Sequence, residues 1–558
     1  MADERSGGEI LVASLLAQGA THAFGVPGES YLAVLDALYD ARERLQFFVC
    51  RQEGGAAYMA EAYGKLTGKP GLVFVTRGPG ATNAAIGIHT AAQDSTPLIA
   101  FVGQVGSDMV DREAFQEVDY RQMFGPVAKW AAQIDSAARI PEYVAHAWRT
   151  AISGRPGPVV LALPEDMLTS KAVCADPPRV EAVISAPAPS SVAAAHALLA
   201  GARSPLVVVG GSRWDDAARG ALVRFAEASQ VPVACAFRRQ DLFDNAHPLY
   251  AGDVGIGIDP MLAARVREAD VLLVIGERLG EMTTSGYTLL DVPVPRQALV
   301  HVHPDAMELG RVYQPALAIA ATPGAFIAAI DGAAARAEAP RDEAARAHAE
   351  HEAWRAPRRV PGEVDLWQAV RWLDERLPAD AVLTNGAGNY TAWVQRLFRY
   401  GGGRRQLAPY SGSMGYGVPS AVAAKLVHPG RVVVSWNGDG CFLMNGQELA
   451  TAVQYGLAIV FVVIDNGMYG TIRMHQERHY PGHVSGTDLV NPDFAMLARA
   501  YGAHGETVAA TEDFAPAFER AMSAQRPALL HVRVDPQALT MSATLDELRA
   551  QGIAHAGA

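Results

Sequence analysis

Short unbroken runs of apolar residues, rich in Val, Ile and Leu, alternate along the chain with longer stretches of helical periodicity. The runs fall at residues 71–75, 98–102, 158–163, 205–209, 271–275, 299–302, 432–436 and 459–464. A strand exposed on one face alternates apolar and polar side chains, whereas a strand covered on both faces is apolar throughout. The pattern therefore predicts parallel sheets with helices on either side, an α/β protein. The longest apolar run, residues 457–464, spans eight positions, far short of the ~20 needed to cross a bilayer. No membrane segment is expected.

Two segments read as linkers. Residues 174–191 are rich in proline and small residues, and residues 334–362 form an Ala/Arg/Glu-rich stretch ending in Pro357 and Pro361. The second stretch reads as a solvated helix. The linkers divide the chain into blocks 1–173, 190–333 and 362–545, each long enough for its own core. Blocks one and three echo each other. An apolar run, then Thr76-Arg77-Gly78-Pro79-Gly80, a helical stretch and another apolar run is matched by a run, Trp436-Asn437-Gly438-Asp439-Gly440, a helical stretch and a run. Two related α/β units flanking a third are expected, giving three doubly wound parallel-sheet domains.

Composition narrows the function. The 558 residues carry a net charge of −12, so there is no basic face for nucleic acid. The N-terminus lacks the apolar stretch of a signal peptide, which predicts a cytoplasmic protein. Cys50, Cys174, Cys235 and Cys441 lie far apart with no ligand-like spacing, so neither a disulfide framework nor a zinc site is indicated.

The chemistry concentrates in a few turns. Gly438-Asp439-Gly440 follows an apolar run and opens a helix, where glycines let the backbone approach a ligand and helix N–H groups can face a phosphate. Asp465-Asn466-Gly467-Met468-Tyr469-Gly470 ends the next run, which puts both turns on one sheet edge. An Asp carboxylate and an Asn carbonyl oxygen are hard ligands suited to Mg²⁺, which completes its shell with water and phosphate.

G-D-G followed by 25 residues and then Asn resembles the signature of thiamine diphosphate (ThDP) enzymes. Arg51-Gln52-Glu53-Gly54-Gly55-Ala56, Gly78-Pro79-Gly80-Ala81-Thr82-Asn83, Gly103-Gln104-Val105, Ala114-Phe115-Gln116-Glu117 and Gly412-Ser413-Met414-Gly415-Tyr416 extend the resemblance, in order, to the acetolactate synthase branch. It covers residues from about 8 to 535. It implies a pyrimidine-binding first domain, a Rossmann-like middle domain and a diphosphate-binding third domain.

By that resemblance Asp439, Asn466 and the backbone oxygen of Met468 bind Mg²⁺. Backbone groups around Gly438, Gly440, Cys441 and Tyr469, with the turn carrying Ala387, Gly388, Asn389 and Tyr390, hold the diphosphate. Gly412 accepts from the pyrimidine amino group, Met414 wedges between the two rings, and Glu53 shares a proton with the pyrimidine. The implied reaction is addition of the cofactor's C2 ylide to a 2-oxoacid, loss of CO₂ and transfer of the enamine to an acceptor carbonyl. The implied assembly is a homodimer or homotetramer with active sites between subunits.

The chain also departs from the family. Gln116 stands where pyruvate decarboxylases use paired histidines, which favours carboligation. Arg77 replaces a serine, and reads either as an anchor for a substrate carboxylate or as a structural pair with Asp94 or another acid. His475 takes a tryptophan position, as a pocket-lining or a surface residue. Arg278-Leu279-Gly280-Glu281-Met282 keeps only the first arginine of a run associated with FAD, so a middle domain without nucleotide is expected over one with FAD. The rival readings are a simple 2-oxoacid decarboxylase or carbon–carbon lyase of the benzoylformate decarboxylase or benzaldehyde lyase type, and a non-catalytic nucleotide-binding regulator. Glu53, Asp439 and Asn466 argue against the regulator.

Overall fold

The computed structural model describes residues 3–331 and 342–556. Three sheets of six parallel strands each carry the chain. The first runs in spatial order Gln46–Val49, His22–Gly25, Gly71–Val75, Leu98–Gln104, Pro158–Pro164 and Trp130–Gln133. The third runs Arg405–Leu407, Val382–Asn385, Val433–Gly438, Val460–Asp465, Ala528–Arg533 and His504–Val508. Numbered along the chain, both have the order 2-1-3-4-6-5, so the sequence echo of blocks one and three is a duplicated topology. The middle sheet runs Tyr250–Asp253, Val233–Cys235, Leu206–Val209, Val271–Ile275, Ala298–His303 and Leu317–Ala320, the order 3-2-1-4-5-6 of dinucleotide-binding folds. Among the described residues no helix is long and apolar enough to cross a membrane.

The central strands are fully buried, as their unbroken apolar composition requires. Two helices after the first-sheet strands set the geometry of the first domain. Gln52 caps Glu53–Thr67 by accepting from the Gly55 N–H, and Gly68 ends that helix at φ 69°. Gly78–Asp94 crosses it so closely that a Cβ at Gly87 would stand 2.4 Å from the Ala57 Cβ.

A single apolar core joins the first and third domains, with Tyr58 packed edge-on to Tyr416 at 5.4 Å between ring centroids. The proline-rich segment is tied at both ends. Gln18 accepts from the Val180 N–H and donates to the Pro178 carbonyl, and the Thr322 N–H donates to the Ser185 carbonyl. Residues 334–341 of the second expected linker lie outside the described residues. Its remainder is not the solvated helix expected. Glu343–Trp354 buries Ala344, Ala347 and His351, a narrow face at three- and four-residue spacing, against the middle domain, where His351 meets the Tyr250 ring at 4.9 Å.

Candidate functional site

Strands Val382–Asn385, Val433–Gly438 and Val460–Asp465 are neighbours in the third sheet, and their carboxyl ends release three turns on one edge. The first two straddle the point where strand order reverses, the place where open α/β sheets bind ligands. A cavity of about 230 Å³ opens there. It is lined by residues 387–390 of the first turn, Gly438, Asp439, Gly440 and Cys441 of the second, Asn466, Met468 and Tyr469 of the third, and Gly412 with Met414. Every cofactor residue inferred from sequence except Glu53 lines this one space.

The glycines are needed sterically. A Cβ on Gly438 would fall 2.6 Å from the Tyr390 ring, and one on Gly440 would fall 2.6 Å from the Tyr469 ring. Tyr390 is locked in turn: its hydroxyl donates to the Cys441 sulfur at 3.1 Å, and its carbonyl accepts from the Trp436 indole at 3.0 Å. Burial pushes the Cys441 thiol up, so it stays protonated. Asn389 is held by Thr471, which accepts from its N–H at 2.9 Å and donates to its Oδ1 at 3.0 Å.

Asp439 and Asp465 share a network assembled from three distant segments. Asp439 accepts from the Gly440 N–H at 2.8 Å, the Gly467 N–H at 3.0 Å and Asn491 Nδ2 at 2.8 Å. Asp465 accepts from the Gly467 N–H at 3.0 Å, Asn491 Nδ2 at 2.8 Å and His531 Nε2 at 2.8 Å. Burial and the neighbouring Asp465 charge hold the Asp439 carboxyl above the ordinary range. Burial also opposes the Asp465 charge, but hydrogen bonds from His531, Asn491 and Gly467 outweigh it and hold that group low. Sequence reasoning quoted Asp465 without a role and missed Asn491 and His531, whose separations leave no local signal. Among the described residues no group of three or more His, Cys, Asp and Glu side chains is arranged to hold a metal. One carboxylate, one amide oxygen and a backbone carbonyl do match the sparse oxygen set Mg²⁺ takes beside a phosphate.

The segment bearing Gly412 and Met414 is clamped by the first domain. Tyr58 donates to the Met414 carbonyl at 3.2 Å and contacts the Ser413 hydroxyl. Asp94 accepts from the N–H groups of Tyr410 at 2.9 Å and Ser411 at 3.3 Å, and is paired with buried Lys65. Glu61 accepts from the Tyr416 hydroxyl at 2.5 Å. Gly412 has φ 66°, a conformation that favours glycine.

The remaining sequence-inferred residues stand outside the cavity. Glu53, Arg77 and Gln116 gather on the carboxyl edge of the first sheet. Half-buried Glu53 accepts from Asn83 Nδ2 at 2.9 Å. Arg77 pairs with Glu165, not Asp94, and donates to the Phe115 carbonyl at 3.2 Å; its buried Nε has no partner among the described residues. Gln116 adopts φ 64°, rare for a side chain of its kind, and its carbonyl accepts from the Gly78 N–H at 3.0 Å. His475 is exposed on helix Gly470–His479, stacked on His479 at 6.3 Å. Glu448, a residue sequence reasoning did not single out, is fully buried and accepts from the N–H groups of Arg51 and Gln52 at 3.0 Å, fixing the approach to Glu53 from the third domain.

Comparison with known proteins agrees with this architecture. Residues 5–123 match the N-terminal TPP binding domain, 192–330 the central domain and 386–532 the C-terminal TPP binding domain of thiamine pyrophosphate enzymes. The acetolactate synthase isozyme 2 large subunit of Escherichia coli is 32% identical over 95% of this chain and 96% of its own length. The acetolactate synthase large subunit of Corynebacterium glutamicum is 31% identical over 93% and 85%, and the probable acetolactate synthase large subunit of Methanocaldococcus jannaschii 30% over 96% and 93%.

Proposed function

The chain belongs to the thiamine pyrophosphate enzymes, and from that premise we propose a ThDP- and Mg²⁺-dependent carboligase that joins a 2-oxoacid, after loss of CO₂, to an acceptor carbonyl. The observation that carries this reading is the convergence of the three turns, Gly412 and Met414 on one cavity at the strand-order reversal of the third sheet. The residues present fit the cofactor: Gly438 and Gly440 bring bare backbone to the cavity wall at the start of a helix, and Asp439, Asn466 and Met468 supply oxygens for the ion. When bound, ThDP supplies a nucleophilic carbon and an electron sink for decarboxylation. Gly412 would accept from the pyrimidine amino group and Met414 would pack against the cofactor rings. Glu53 would hold the proton shared with the pyrimidine nitrogen, its carboxylate oriented by Asn83.

Because Glu53 stands outside the cavity of its own chain, the reading requires at least a homodimer in which the first-domain edge of one subunit faces the third-domain cavity of another. Exposed Ile86, Leu443, Met444 and Ile472, on helices beside these two surfaces, support such burial. The reading leaves the middle domain without FAD. The turn after Leu206–Val209 is filled by the protein itself: a Cβ on Gly210 would lie 2.3 Å from Glu277 Oε2, and Trp214 donates to the Gly210 carbonyl at 2.8 Å. Glu277, reaching in from the end of the neighbouring strand Val271–Ile275, takes the space that a diphosphate would need there.

Calorimetry tests the cofactor assignment: ThDP binds tightly with Mg²⁺ and far more weakly with EDTA or in Asp439→Ala, and equal affinity in all three sinks it. Product analysis with 2-oxoacids, with and without aldehyde acceptors, then separates carboligation from simple decarboxylation. Release of free aldehyde regardless of acceptor returns the decarboxylase reading.

A further inference from the structure

A second, larger cavity of about 400 Å³ lies where the three domains meet, and it reaches Gly412. Its walls mix apolar side chains, among them Phe237, Leu279, Met282 and Tyr410, with charged ones, and a small 2-oxoacid such as pyruvate would leave most of it empty. Phe237 and Tyr410 pack edge to face at 5.8 Å, which fixes that wall.

The charges in the cavity are unequally engaged. Glu308 is neutralised from two sides, by Arg155 at 2.9 Å and Arg311 at 3.3 Å. Buried Glu277 stands behind the lining, where it accepts from Thr283 at 3.1 Å and abuts Gly210; burial pushes its carboxyl up, against the opposing charge of neighbouring Arg278. Glu281 is exposed. Arg278 is less engaged than Arg155 and Arg311. It donates one hydrogen bond, to the Gln93 carbonyl at 2.9 Å, and its guanidinium lies 5.1 Å from the Tyr410 ring centroid. It makes no ion pair among the described residues. The bond to Gln93 and the Tyr410 stack hold the group in place at low entropic cost, leaving donors for an anion. Arg77, the arginine the sequence offers for that task, is already spent on Glu165.

We propose that this cavity is the substrate subsite of the enzyme and that it selects a 2-oxoacid with a second, distal carboxylate, bound by Arg278 while the reacting end lies at Gly412. The proposal rests on the ThDP-dependent reading above and names the substrate class of that same site.

The test uses the full-length enzyme with ThDP and Mg²⁺, and two probes, 2-oxoglutarate and its distal monomethyl ester. In the wild type the diacid binds by calorimetry, and turns over by kcat/KM, about 10- to 100-fold better than the ester, the usual range for a hydrogen bond to a charged group. Arg278→Ala removes that preference by weakening only the diacid, and Arg278→Lys recovers part of it. A melting curve equal to that of the wild type excludes misfolding. Equal affinity of the wild type for acid and ester overturns the proposal, as does a preference that survives in Arg278→Ala or a flavin that copurifies and fills the cavity. CO₂ release from no 2-oxoacid overturns the ThDP reading instead, and the calorimetric preference still decides whether Arg278 binds the distal carboxylate.

Discussion

Asp439 is recognisable in the sequence because its turn is local: a strand, two glycines and a helix start lie within a few residues. Its supporting shell is not local. Asn491 and His531 come from segments 52 and 66 residues from the carboxylates they bind, so no spacing announces them. Groups that orient a metal ligand without touching the ion typically tune affinity about 10- to 100-fold. His531→Phe, which keeps the ring packed on Phe494 but cannot donate to Asp465, is expected to weaken Mg²⁺-dependent ThDP binding by about that factor, read by calorimetry. Asp439→Ala is expected to abolish the proposed metal dependence of that binding. Glu53→Gln folds and binds cofactor but loses ~10²–10⁴-fold in exchange of the cofactor C2 proton, because an amide cannot share a proton with the ring. Exchange within a few-fold of wild type, followed by NMR, would leave Glu53 structural. For Arg77 both readings were open from sequence, since a cation gives no hint of where its partner lies. The structure supplies Glu165, 88 residues away. Arg77→Ala should therefore lower kcat/KM for acidic and neutral substrates alike, through the displaced Gln116 loop, and lower the melting temperature.

At the scale of elements, the strands are legible because a doubly covered strand must be apolar throughout, whereas their ends are set by hydrogen bonding and shift by one or two residues. The run at residues 432–436, for example, forms the strand Val433–Gly438. Contacts between elements are where local reading stops. Glu448 reaches from the segment after Asp439–Asn445 to the two N–H groups before Glu53–Thr67, and a Cβ on Gly55 would collide with it at 2.7 Å. Glu448→Ala strands those donors and costs about 1–3 kcal/mol of stability, measured by urea unfolding. The helix Glu343–Trp354 carries a pH term. Burial, with Arg355 adding to it, lowers His351 from 6.5 to about 3. The unfolded chain therefore takes up a proton between those limits that the folded chain does not, so stability falls as pH drops below 6.5 and is fully kept above it. Burial lowers His303 to about 4, in the same direction. His351→Gln flattens the stability–pH curve between pH 6.5 and 4 by about one proton, and an unchanged slope would mean that the imidazole is protonated in the fold.

At the scale of the molecule, the duplicated 2-1-3-4-6-5 topology gives the chain two equivalent carboxyl edges. One bears Glu53, Arg77 and Gln116, and the other bears the cavity with Asp439 and Asn466. Within one chain the two domains are fused through a common core on the helices Glu53–Thr67 and Gly417–Val427, and the cavity is lined by the third domain together with the segment that the first domain clamps. A functional site built from both edges must then draw them from different copies. That arrangement makes a prediction no folding argument mimics. In the homodimer proposed above, Glu53→Gln and Asp439→Ala are each expected to abolish activity, but subunits of the two variants, unfolded and refolded together, should form mixed dimers. In each mixed dimer one site receives both intact residues and the other neither. With random two-fold pairing about a quarter of all sites are then intact, so activity recovers to about a quarter of wild type. If Glu53 and Asp439 served the same site from a single chain, every site in the mixture would still carry one lesion, and no activity would return.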